Sequence, residues 1–133
     1  MATATKLRRK TPVIEHCWLV VGQKRGNFWL GRLVQPTTGS IAQVEFDPYW
    51  VIDREEQRGD VLGFYHTHPG GRPGPSKRDV NTMRSWAESF GKPLLCYIEA
   101  SRELGCFLFD EFEQDGFSIY CERYPRGVVV AYD

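Results

Sequence analysis

The sequence predicts an α/β fold: one domain with a mixed β-sheet, one principal helix and one shorter helix. Three observations carry that reading. Short apolar runs alternate with Gly, Pro and polar clusters, which is how strands and their turns are written. One window, residues 76–90, instead repeats its apolar residues at helical spacing. The chain has 133 residues, enough for one domain with one sizeable core.

Taken in order, residues 15–22 read as a strand buried on both faces, because their apolar residues do not alternate. Residues 23–27 form a polar turn around Gly26, and residues 28–34 a second strand. Pro36-Thr37-Thr38-Gly39 reads as a turn that closes a hairpin, with residues 41–46 as a third strand. Asp47 suits an N-cap, with Pro48 at the first helical position. The shorter helix spans residues 49–57 and ends at Gly59. Residues 60–66 make the central strand. In the principal helix Val80, Met83, Ala87 and Phe90 share a face, with Trp86 beside them, and Gly91 and then Pro93 terminate it. Residues 94–99 and 104–110 read as strands about a turn at Ser101–Arg102. Residues 117–120 and 128–131 add two more.

Composition narrows the function. Lys and Arg together number 17, as do Asp and Glu, so the net charge is zero. That argues against a general nucleic-acid binder and against a polybasic membrane surface. No apolar run reaches the length of a membrane span, and Lys6, Arg8, Arg9 and Lys10 precede no signal core. A cytoplasmic protein is expected, with residues 1–12 as a flexible, solvated tail and residues 13–133 as the domain. Cys17, Cys96, Cys106 and Cys121 are scattered, and they read as reduced core thiols rather than as a second metal site.

The chemistry concentrates in one stretch. His66 and His68 stand two apart at the end of the apolar run Val61, Leu62, Phe64, Tyr65, so on an extended strand both imidazoles point the same way. The Gly/Pro-rich loop 69–75 turns the chain back, and a helix starts at Ser76. Asp79 lies one turn in, on the face of Ser76. Two imidazoles and a carboxylate are a three-ligand set for zinc that leaves a fourth position for water, the pattern of a catalytic centre. Blander readings exist for each part. Ser-x-x-Asp is also a capping box in form, and histidines at a strand end also occur as plain loop residues.

His66-Thr67-His68-Pro69 followed by Ser76-Lys77-Arg78-Asp79 resembles the JAMM motif of the MPN-plus zinc metalloproteases. That resemblance implies an MPN/JAB domain with a cytidine-deaminase-like core. It implies an isopeptidase that cleaves after the C-terminal tail of a ubiquitin-like protein, with one Zn²⁺ per chain. The compact form resembles prokaryotic members found beside ubiquitin-like conjugation genes, some in anti-phage operons, so E1- and E2-like enzymes are expected partners. Glu15-His16-Cys17-Trp18-Leu19-Val20-Val21-Gly22 resembles the family's upstream glutamate segment, which makes Glu15 the general base. Glu45 is a rival base, and Glu15 also reads as a polar residue at a strand edge. The resemblance gives Ser76 the role of hydrogen-bonding the oxyanion or the water. It places residues 50–59 at the family's first insertion, so that Trp50 and Val51 border the substrate groove. Cys17 shares a strand face with Glu15 and is expected near the site.

Two features depart from the family. A long helix usually precedes the glutamate strand, and only the polar segment with Pro12 stands here, so that helix is expected to be lost or supplied by a partner. There is also little room for the second insertion. Two other functions compete. A non-catalytic MPN scaffold generally lacks the ligands, which are present here. A RadC-like protein shares the His-x-His-Pro and Pro-Ser-x-x-Asp pattern, but carries an Asp-His pair on the next strand, where this chain reads Leu94-Leu95-Cys96-Tyr97-Ile98.

Overall fold

A computed structural model of the chain describes residues 15–39, 48–69, 71–110 and 115–133. The expected third strand at 41–46, the Asp47 cap, Glu45 and the tail 1–12 lie outside them.

β1 (Glu15–Arg25) and β2 (Phe28–Gly39) form an antiparallel hairpin whose tight turn is Gly26-Asn27. Both strands run further than expected. The segment 36–39 extends β2 instead of turning, with His16 opposite Thr38 and Cys17 opposite Thr37. The register slips between Leu19–Val34 and Cys17–Thr37, which leaves one extra residue on β2. Pro36 falls in that bulge, where its missing N–H costs no ladder bond.

α1 (Pro48–Arg58) follows and leads into β3 (Val61–Thr67), which lies antiparallel to β1. The bidentate contact of Arg54 with Asp60, at 2.9 and 2.8 Å, ties α1 to the start of β3. Hydrogen bonding to Arg54 holds the Asp60 carboxyl below the usual carboxylate range. α2 (Lys77–Phe90) then crosses to β4 (Leu94–Ala100), which is parallel to β3. A parallel pair needs such a crossover. β5 (Glu103–Phe109), β6 (Phe117–Tyr124) and β7 (Val128–Tyr132) continue antiparallel. β7 pairs with β2, so the seven strands close into a barrel in the order β1-β2-β7-β6-β5-β4-β3.

Closure creates two cores. All seven strands contribute to the barrel interior, which includes Val20, Trp29, Tyr65, Tyr97 and Val129. The second core lies between the β1-β3-β4 face and the helices, with Leu19, Val51, Phe64, Met83 and Ala87. β1, β3 and β4 are therefore covered on both faces, which is why they read as unbroken apolar runs. Each fully buried aliphatic side chain contributes about 1.5–3 kcal/mol.

Gly63 changes the phase of β3. Val20 pairs with Gly63 and Val21 with Val61, so one extra residue bulges from β3. Gly63 has φ 155°, and a Cβ there would lie 1.9 Å from the Leu95 carbonyl oxygen. Before the bulge Leu62 faces the barrel interior; after it Phe64 faces the helices and Tyr65 the interior. His66, two residues beyond Phe64, consequently faces α2.

Candidate metal centre

Three elements converge on one point. His66 stands near the end of β3, in a row that runs Cys17, His66, Ile98, Gly105 across β1, β3, β4 and β5. His68 lies just beyond the strand, where its backbone N–H donates to the Glu99 carbonyl at 2.8 Å. It is 8% exposed, the one buried polar side chain of the described core. The loop then returns to α2. Its Pro73 carbonyl packs over Gly105, where a Cβ would come within 2.3 Å of that oxygen.

Ser76 is the N-cap of α2 in extended conformation, and the helix begins with Val80 N–H donating to the Ser76 carbonyl at 3.0 Å. The capping box is complete. Asp79 N–H donates to Ser76 Oγ at 3.1 Å, and Ser76 N–H donates to Asp79 Oδ2 at 2.9 Å. Gly91 closes the other end in the left-handed conformation. The capping and ligand readings of Ser-x-x-Asp are thus compatible: the cap aims the Asp79 carboxylate.

The donor atoms lie close together. His66 Nε2 and His68 Nε2 are 2.9 Å apart, and they stand 3.5 and 3.3 Å from Asp79 Oδ2. Tetrahedral zinc with bonds of about 2.0–2.1 Å sets its ligand atoms roughly 3.3 Å apart. The three observed edges bracket that value, and two imidazoles with one carboxylate suit a divalent cation. The residues therefore fit the metal that the motif implies. Burial pushes the Asp79 carboxyl up, but hydrogen bonds from His66, His68 and the Ser76 N–H outweigh it and hold the group well below the usual carboxylate range.

Behind His68, on the other face of the sheet, Tyr65, Glu99 and Arg123 form a cluster. Arg123 Nη1 donates to the Tyr65 hydroxyl and to Glu99 Oε1, each at 2.9 Å, and the Tyr65 hydroxyl also bonds Glu99. Burial together with that Glu99 bond raises the Tyr65 hydroxyl well above its ordinary range. The cluster fixes the strand whose carbonyl holds His68.

A family model described as prokaryotic homologs of the JAB domain matches residues 2–110. The chain belongs to this family. A search of curated proteins returns no match. The JAB match spans every element from β1 to β5, including the whole His66–Asp79 stretch, while β6 and β7 lie beyond it. This JAB domain keeps the expected mixed α/β architecture, with its sheet closed. Among the described residues no helix is long and apolar enough to cross a membrane.

The other expected site residues divide. The Glu15 backbone opens β1 opposite Gly39. It stands two residues before Cys17, where the pairing of β1 with β3 ends opposite His66. Cys17 is buried directly beside His66 across the strand pair. Val51 corrects an expectation: it is 0% exposed and belongs to the core between helix and sheet, so it borders no groove. Trp50 is partly buried against the same core. The solvent side of α1 instead carries Tyr49, 81% exposed, and Ile52, 38% exposed, three residues apart. Gly63 and Gly105 were missed as site-forming residues. A glycine inside a strand pattern does signal a bulge or a close approach, and both glycines stand in such patterns.

Proposed function

We propose that this JAB-family chain is a zinc-dependent isopeptidase that cleaves after the C-terminal tail of a ubiquitin-like protein. One observation carries the reading: His66, His68 and Asp79 bring two imidazoles and a carboxylate to one point at tetrahedral spacing. Zinc bound there supplies Lewis-acid polarisation of a carbonyl and acidifies water. Glu15, at the start of β1 two residues before Cys17, takes the proton of the attacking water and returns it to the leaving amine. Ser76 Oγ already accepts the Asp79 N–H, which leaves its own O–H to donate to the developing oxyanion.

The substrate tail is recognised as an added strand, through its backbone. β2 runs on beyond Arg32–Val128, its last pairing with β7 among the described residues, and that stretch passes the Cys17–His66 row at Thr37. Tyr49 and Ile52 on α1 offer apolar contact to the folded body of the partner. The chain acts in the cytoplasm, beside the conjugation enzymes that make its substrates.

The test uses a ubiquitin-like protein fused to a fluorescent reporter, with the residue before the junction Gly or Leu. Cleavage of the Gly fusion is expected to stop with chelator, to survive Cys17→Ala, and to be much slower with Leu. Equal cleavage of both junctions leaves only a general peptidase. Turnover that survives chelator but fails in Cys17→Ala points to a cysteine nucleophile and ends the proposal.

A further inference from the structure

The β1–β3 ladder ends at Cys17 and His66. One residue further, a side chain joins the strands: the His16 N–H donates to the Thr67 hydroxyl at 2.9 Å. Thr67 stands between the two histidines, and strand alternation turns it to the face opposite His66. His16 stands next to Glu15. On its β4 side the same segment is fastened by His68 N–H to the Glu99 carbonyl at 2.8 Å. The histidines are thus secured to β4 through backbone and to the start of β1 through Thr67.

We propose that Thr67 is a positioning residue whose hydroxyl latches the start of β1 and so fixes Glu15 against the His66–His68–Asp79 set. Its catalytic part rests on the function proposed above. Strand ends open at little cost, and a carboxylate that serves as base must stand within hydrogen-bond reach of the proton it takes. A short hydroxyl can accept a bond from a neighbouring strand, whereas a methyl group cannot. β1 remains paired with β2 on its other side, His16 opposite Thr38, so losing the latch frees the strand end without unfolding it.

The experiment compares Thr67→Val, which keeps the shape and removes the oxygen, with Thr67→Ser, which keeps the oxygen, in the full zinc-loaded chain. Amide exchange at His16 should quicken about tenfold in Thr67→Val, the loss of one hydrogen bond, and stay near wild type in Thr67→Ser. Bound zinc should be unchanged in both. On a green-fluorescent-protein fusion of a ubiquitin-like protein whose tail ends in Gly, kcat should fall about tenfold in Thr67→Val with KM unchanged, and Thr67→Ser should restore it. Unchanged His16 exchange in Thr67→Val overturns the proposal. So does faster exchange with unchanged kcat, or a Ser variant as slow as Val. If the wild type cleaves no such fusion, the proposed function is what fails, and His16 exchange alone then decides whether the latch stands.

Discussion

Asp79 illustrates how much a single side chain carries. Its Oδ2 accepts the Ser76 N–H that caps α2, and the same atom faces both histidines. Asp79 was legible in the sequence because capping and coordination demand the same spacing from Ser76. Val51 was not legible as a core residue. A short helix with apolar residues on neighbouring positions leaves its buried side open until the sheet it packs on is known. Glu15 differs from the three candidate ligands, since its proposed work is to move a proton and not to hold metal. Glu15→Gln should therefore keep zinc at wild-type stoichiometry while kcat falls about 10²–10⁴-fold. Glu45→Ala should stay close to wild type. A dead Glu45 variant beside an active Glu15 variant reverses the assignment.

The elements matter through phase. The histidines were read as facing one way because they stand two apart, and they do converge. Which way they face depends on the bulge at Gly63, which sets the residues after it towards α2. Periodicity alone did not show this, because Val61, Leu62, Phe64 and Tyr65 are apolar on both faces. The helices were legible from spacing and from Gly59, Ser76 and Gly91 at their ends, and the described strands from their runs. The 36–39 segment was misread because its Pro, Thr and Gly chemistry is shared by turns and bulges. Gly105 is the second element-scale device. Its bare backbone seats Pro73 and so fixes the loop between His68 and Asp79. Gly105→Ala should cost about 1–3 kcal/mol through overpacking. Displacing the loop should also weaken zinc binding roughly tenfold, read by competition with a chromogenic chelator. An unchanged affinity contradicts the role given to this contact.

At the scale of the molecule, the mixed sheet was legible and its closure was not. Closure depends on β7 reaching β2, a pairing between residues about a hundred positions apart that no local pattern records. β6 and β7 lie beyond the family match, yet they cover the side of the barrel that holds Trp29 and Cys106. A chain ending at Asp110 should accordingly lose its cooperative thermal transition and bind hydrophobic dye. A truncated chain that melts like the full one would show the barrel to be dispensable. The two cores leave the candidate metal centre on the helix-facing side, so the fold should outlast loss of one of its three side chains. Whether His66, His68 and Asp79 hold zinc is tested most directly by elemental analysis of protein purified without added metal. One zinc per chain is expected in the wild type, with almost none in a folded His68→Ala variant. A wild-type stoichiometry near zero that added zinc does not restore, or full zinc in His68→Ala, would contradict it.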